Sequence, residues 1–249
     1  MAKSKVGLIT AVSIVVANII GTGVFTSIGF QAANIPSEFP LIMLWVVGGA
    51  LALFGALSYG ELASAMPHSG GEYYYLSRIY HPAMGFLAGW VSLVVGFSAP
   101  IALAAIAFGS YVSGVFPSVP PAHAAAVIVI IITAVHSFNI QTGSVFQVIF
   151  TSIKVVLILV FIGAGFLISN PQEISLVPKA GDFGLITGNF FAISLIFVTY
   201  AYSGWNAATY IASEIESPAK NVPRALFIGT IIVMVLYALI NYIDRKSVV

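Results

Sequence analysis

Seven stretches of this chain are apolar enough to be read as crossing a lipid bilayer, and little sequence is left over. They run roughly Val6–Ala33, Leu41–Ala65, Met84–Phe116, Ala122–Phe138, Val145–Ile168, Phe183–Ser213 and Leu226–Ile243. A spanning helix needs about 20 mostly apolar residues, and helices satisfy their own backbone where no water can. Only 7% of residues are charged, against about 25% in soluble domains, so these faces cannot be turned to water. The expected fold class is therefore an all-α integral membrane protein. Pro36, Pro40, Pro82, Pro117, Pro120, Pro121, Pro171 and Pro223 fall between the runs, where helices stop. Pro100 lies inside the third and predicts a kink there.

Charge placement predicts orientation. Lys3, Lys5, Arg78, Lys220 and Arg224 share one side, whereas the opposite loops carry only Lys179 before the tail. Positive residues favour the cytoplasm, which puts the N-terminus inside a membrane expected to be bacterial and cytoplasmic. Arg245 and Lys246 fall on the other side, against the rule. The start, "MAKSKVGLITAV", has no small-residue cleavage site after it, so it reads as a retained first span rather than a leader. The stretch "MPHSGGEYYYLSRIYHPAMG" predicts a short interfacial helix, either an aromatic belt or part of a gate.

Other classes drop out quickly. A net charge of +1 gives no reason to expect a nucleic-acid partner, and the absence of cysteine excludes disulfides and thiolate metal sites. The four histidines show no ligand spacing, so no metal and no cofactor is expected. Neither His-Glu-x-x-His nor Gly-x-Ser-x-Gly occurs, so the usual metal and nucleophile motifs of enzymes are missing. Repeated filter sequences or charged rings, which channels favour, are not found either.

Two of the runs are interrupted. "VANIIGTGVF" places Gly21, Thr22 and Gly23 inside the first, and "FVTYAYSGWNAATY" places Ser203, Gly204 and Asn206 inside the sixth. Gly costs about 1 kcal/mol against Ala within a helix. A helix opened at Gly21–Gly23 has a new N-terminus at mid-membrane, whose N–H groups and dipole suit a carboxylate. Carbonyls just before the break, around Ile19, lose helical partners and can accept bonds from an ammonium group. Opened backbone at that depth is tolerated only where it lines a cavity or is buried. Two glycine-interrupted spans, one opening each half, are the pattern of an inverted-repeat transporter. The first five-helix repeat is then residues 1–170, and residues 171–249 hold the first two helices of the second. A close helix–helix contact is the competing reading of Gly-x-Gly, and "GFLAG" at Gly85–Gly89 is read that way.

At these residues the chain resembles the amino acid–polyamine–organocation superfamily of permeases. "IIGTGVF" is similar to the family's first-helix motif, and "YAYSGWNAATYIASEIESPAKNVPRA" to its sixth helix and following loop, closest to the L-type amino acid transporter branch. "YGELASAMPHSGGEYYYLSRIYHPAMGFLAGW" resembles the second-to-third helix region. The resemblance covers nearly all of residues 5–240 and implies a 5+5 inverted-repeat core with helices 1 and 6 discontinuous. It implies that Gly21, Thr22 and Gly23 hold a substrate carboxylate, and that carbonyls of Ile19, Tyr200, Ala201 and Ser203 face its amino group. Tyr200 stands where the family has an aromatic gate, and Asn206 where a side chain braces the broken backbone. The chain ends after the seventh span, in "INYIDRKSVV", which departs from the family's continuation. The expectation is an N-terminal fragment that does not transport alone.

Lys154, in "FTSIKVVLILV", is nine residues past Val145 and thirteen past Gln141. At ~1.5 Å per residue that is ~13–20 Å deep, too far for easy snorkelling, and a charge so placed is functional by default. The L-type resemblance implies an ammonium standing in a sodium site of sodium-coupled relatives. A proton-carrying Lys and a neutral, structural Lys are the other readings. Glu61, Arg78, Glu214, Glu216, Lys220 and Arg224 gather at the inner side, as gate ion pairs or as solvated helix ends. The resulting expectation is a sodium-independent permease or exchanger of small or medium neutral amino acids, working by alternating access, with the lipid bilayer and the amino acid as partners and any partner subunit left open. A non-transporting sensor and a proton-coupled symporter are the alternatives.

Overall fold

The computed structural model describes residues 5–21, 23–138, 140–167 and 175–247. Among them the chain is helical, apart from one isolated backbone bridge. The helices are α1 (Leu8–Ile19), α2 (Gly23–Asn34), α3 (Glu38–Ala65), α4 (Gly71–Ile79), α5 (Pro82–Val91), α6 (Ser98–Val115), α7 (Pro121–Phe138), α8 (Ile140–Phe166), α9 (Asp182–Ile186), α10 (Asn189–Ala201) and α11 (Pro218–Ser247). A π-helical segment, Ser92–Phe97, joins α5 to α6, and a 3₁₀ segment, Ala207–Glu214, follows α10.

Among the described residues, five segments are long and apolar enough to cross a membrane: Leu8–Phe25, Glu38–Ala65, Pro82–Val115, Val145–Phe166 and Pro218–Asp244. The other two expected spans contain shorter apolar helices, Pro121–Ser137 and Asn189–Ala201. The expected interfacial segment does contain a short helix, α4. Near Pro100, where the sequence predicted a kink, a π-helical segment lies just before the proline. Proline has no N–H to give and crowds the preceding turn. A widened turn relieves both, and the Ser98 hydroxyl donates to the Leu93 carbonyl at 2.7 Å within it.

The chain forms two compact units, Met1–Ser69 with Phe150–Val249, and Gly70–Ile149. This spatial division differs from the expected repeat boundary at residue 170, because the first and sixth spans lie in the same unit. In the smaller unit α4 packs on α5 and α6 on α7. A Cβ at Gly85 would strike Ser77 of α4, and one at Gly109 would strike the Pro121 carbonyl of α7.

The larger unit is organised by α3. Glycine replaces bulk wherever a neighbour comes close: a Cβ at Gly48 would run into Val198, one at Gly49 would come 2.6 Å from Met234, and one at Gly55 2.6 Å from Trp205. A Cβ at Gly60 would come 3.3 Å from the Pro223 backbone. Small residues of this kind let backbones approach where no hydrophobic force gathers helices. Against this strip sits a fully buried aromatic cluster of Trp45, Tyr202 and Tyr237, with ring centroids 5.1–6.0 Å apart.

Both ends of this unit are tied. At the N-terminal end Val6 pairs in parallel with Ile215; its N–H donates to the Glu214 carbonyl at 2.8 Å and its carbonyl accepts from Glu216 N–H at 2.9 Å. Ser69 and Ser213 exchange backbone-to-hydroxyl bonds of 3.0 and 2.9 Å, and Ser64 donates to the Ala219 carbonyl. The backbones of Glu214 and Glu216 are thus paired with Val6, in the stretch where the sequence suggested gate ion pairs or solvated helix ends. Arg78 belongs to the smaller unit, over the Tyr74 ring. At the opposite end the Lys179 ammonium meets the Glu38 carboxylate at 2.8 Å, and the Lys179 N–H donates to Asp182 at 2.7 Å. The Ser37 hydroxyl and that N–H hold the Asp182 carboxyl below the usual carboxylate range.

Candidate functional site

The first span breaks where its glycines predict. α1 ends at Ile19; Ile20 still donates to Val16 at 2.9 Å but turns extended, at φ −73° and ψ 93°. α2 starts at Gly23. Thr22 lies outside the described residues. The sixth span breaks too: α10 ends at Ala201, Ser203 N–H donates to the Tyr200 carbonyl at 2.9 Å, and Gly204 takes φ +98°. That left-handed conformation is open to glycine at little cost.

The two breaks cross in contact. A Cβ on Gly204 would stand 2.8 Å from both the carbonyl carbon and oxygen of Asn18, and one on Gly23 would stand 3.2 Å from Ala201 Cα. Each interrupted helix therefore contributes a glycine that lets the other's backbone in. Gly21 differs, because a Cβ there meets nothing within 4 Å. The two glycines of "GTG" differ in surroundings: Gly23 seats the end of α10, and Gly21 faces open space.

The carbonyls released by the first break are already engaged. The Lys154 ammonium donates to Ala17 at 3.1 Å and Ile20 at 2.9 Å. The Tyr237 hydroxyl donates to Ile19 at 2.9 Å, with the Ala201 carbonyl at 3.4 Å. Ile19 and Ala201, expected to face a substrate amine, are thus brought together around one buried phenol, and each oxygen keeps a second lone pair. The Tyr200 carbonyl closes the turn to Ser203, while its side chain is half exposed. Ser203 is exposed. The Asn206 amide donates to the Tyr210 hydroxyl at 3.1 Å, and its carbonyl accepts from Thr209. It ties down the start of the 3₁₀ segment, one step past the break.

A cavity of about 210 Å³ adjoins the first break, lined by Ile20, Gly21, Phe25, Lys154, Leu157, Ile158 and Phe161. Its walls are apolar except at the Lys154 amine and the glycine backbone. Such a space takes a small side chain or main-chain head group beside a helix N-terminus, and it holds no carboxylate to pair with a charged substrate. Tyr237 and Asn18 were not singled out from sequence. The signal for Tyr237 is a lone phenol in the aliphatic run "IIVMVLYALI", because a hydroxyl buried in a membrane segment has to find a partner.

The profile of the amino acid permease family matches residues 6–243. The b(0,+)-type amino acid transporter 1 of Mus musculus is 35% identical over 247 residues, covering 96% of this chain and 50% of that protein. The Asc-type amino acid transporter 1 of Mus musculus is 33% identical over 248 residues, covering 96% and 47%. The large neutral amino acids transporter small subunit 2 of Homo sapiens is 32% identical over 261 residues, covering 98% and 48%. The chain spans about half the length of the curated relatives it matches. With two interrupted helices crossing glycine to backbone, and with that match along nearly its whole length, the chain belongs to the amino acid permease family.

Proposed function

We propose that this chain supplies the substrate-binding crossing of a sodium-independent permease for small or medium neutral amino acids, working by alternating access as a carrier or exchanger. The observation that carries the reading is Lys154, whose ammonium sits on the Ala17 and Ile20 carbonyls at the first break. A fixed cation there links α8 to the broken helix, as a bound sodium ion would, and leaves no need for one. In this reading the substrate carboxylate meets the backbone at Gly21, Thr22 and Gly23. Its ammonium shares the second lone pairs of Ile19 and Ala201 and the carbonyls of Tyr200 and Ser203, and the half-exposed Tyr200 ring closes over it. The cavity beside Gly21 has no carboxylate in its lining, and its one charged group, the Lys154 ammonium, is already held by the Ala17 and Ile20 carbonyls, which favours a neutral side chain.

The relatives are about twice as long. The transport-competent unit in this reading includes as much chain again, and the 249-residue chain alone inserts without moving amino acid. In this reading the N-terminus faces the cytoplasm, the side that the Lys and Arg pattern favours, and the membrane is a bacterial cytoplasmic one. The test is uptake by the full-length protein across a panel of amino acids, with and without sodium and a proton gradient. Sodium-independent uptake of small neutral amino acids is expected. A strict sodium requirement overturns the reading, and a proton-gradient requirement abolished by Lys154→Ala replaces it with proton symport. Substrate binding without counterflow of labelled amino acid would make the protein a sensor.

A further inference from the structure

The larger unit contains three buried polar groups that the crossing does not use. Gln31 Nε2, Ser194 Oγ and Asn241 Oδ1 have no hydrogen-bond partner among the described residues, and their side chains are 0%, 1% and 0% exposed. They come from three different helices, α2, α10 and α11.

Helix register brings them to one level. α3 runs antiparallel to α11, with Gly60 at Pro223, Gly49 at Met234 and Trp45 on Tyr237. It runs parallel to α10 and the turn after it, with Gly48 at Val198 and Gly55 at Trp205. Asn241 is one turn beyond Tyr237 and Ser194 one turn before Val198, each on the same face as its neighbour. Both therefore reach the level of α3 next to Trp45, towards Leu41. Gln31 is already there, because its Oε1 accepts from the Trp45 indole at 2.9 Å.

Chemistry pins both amides. An indole N–H only donates, so the group facing Trp45 is the Gln31 oxygen and the open atom is its NH₂. A backbone carbonyl only accepts, so the Asn241 NH₂ faces the Tyr237 carbonyl, at 2.8 Å, and the open atom is its oxygen. The set is then a donor, an acceptor and a hydroxyl able to be either. Leaving all three dry strands three desolvated polar groups. A cation is disfavoured because all three groups are neutral and one presents N–H. Internal water, which typically makes about three such bonds, matches the set.

We propose that Gln31, Ser194 and Asn241 form an internal water-binding site beside Trp45, joining α2, α10 and α11 across α3. A water joint lets α2 and α10 shift against each other by exchanging water bonds rather than by breaking direct ones.

The test is X-ray hydroxyl-radical footprinting of the full-length protein in lipid nanodiscs. Trp45 is 0% exposed, so bulk radicals do not reach it, and rapid oxidation there needs a bound water beside it. The expectation is Trp45 labelling several-fold above the dark control, falling to that control in the Ser194→Ala/Asn241→Leu double variant. Wild-type labelling at background overturns the site, and so does equal labelling in the double variant. Should the double variant fail to fold, thermal unfolding of Ser194→Ala alone decides. A lowered Tm fits a hydroxyl bonded to water, whereas an unchanged or raised Tm fits a dry, unpaired hydroxyl and overturns the site.

Discussion

The hydroxyl of Tyr237 lies 2.9 Å from the carbonyl oxygen of Ile19, 218 residues earlier in the chain. It joins the seventh span to the end of α1, beside the last residue of α10. Replacing Tyr237 by Phe keeps the ring in its aromatic cluster and removes that bond. An unsatisfied buried carbonyl costs ~1–3 kcal/mol. Substrate affinity is therefore expected to fall roughly tenfold, with membrane insertion intact. Radioligand binding checks this, and wild-type affinity in the variant would leave Tyr237 as packing alone.

The two glycines of the first break are expected to separate. Gly23→Ala drives a methyl against Ala201 and lowers thermal stability. Gly21→Ala meets nothing in the protein, so it leaves Tm in place while weakening amino acid binding. Measuring both quantities on both variants decides the matter. If Gly21→Ala binds normally, the carboxylate does not meet the backbone there.

Gly204→Ala imposes a side chain at φ +98° and 2.8 Å from the Asn18 backbone. Strained backbone of this kind costs on the order of 1–3 kcal/mol, before the clash is counted. Loss of most folded material in size-exclusion chromatography is expected, and an Ala variant as stable as the wild type contradicts the described crossing.

Lys154→Ala leaves the Ala17 and Ile20 carbonyls without their donor. Transport is expected to drop tenfold or more, corresponding to about 1.4 kcal/mol or more, whereas insertion survives because one charge fewer enters the bilayer. Normal uptake by the variant over a range of pH would show that Lys154 is only structural.

Asp182 predicts an acid limb. Its carboxyl is held below the ordinary range, so its contribution is complete above the unfolded value, near 3.9. That contribution is lost as pH falls through the lower folded value. Tm is expected to be flat in this respect near neutrality and to decline below about pH 4. Asp182→Asn should flatten that decline, which differential scanning fluorimetry at stepped pH reads directly.

The breaks were legible because glycine inside an apolar run has few other uses at such cost, and Gly21–Gly23 and Ser203–Asn206 mark them to within a residue or two. Lys154 was legible for the same reason: a charge so deep must find oxygen. What stayed hidden was partnership. The sequence pattern gives no sign that Gly23 also seats Ala201, because close approach of two backbones looks the same in sequence as an open nest. Tyr237 was missed because a phenol in a membrane run also suits an aromatic belt, and only the fold brings it to a carbonyl. The tie near Glu214 was hidden for a related reason, because Val6 and Ile215, both aliphatic, make it through their backbones.

The engaged carbonyls of the first break also have a history within each molecule. Ala17, Ile19 and Ile20 leave the ribosome long before Lys154, which follows Ile20 by 134 residues, and longer still before Tyr237. At roughly 5–20 residues per second, the first span waits about 7–27 s for its ammonium and about 4–17 s more for its phenol. During biosynthesis its opened backbone therefore depends on temporary company, from the insertion machinery, water or lipid head groups, and these bonds are complete only when α11 arrives with Tyr237.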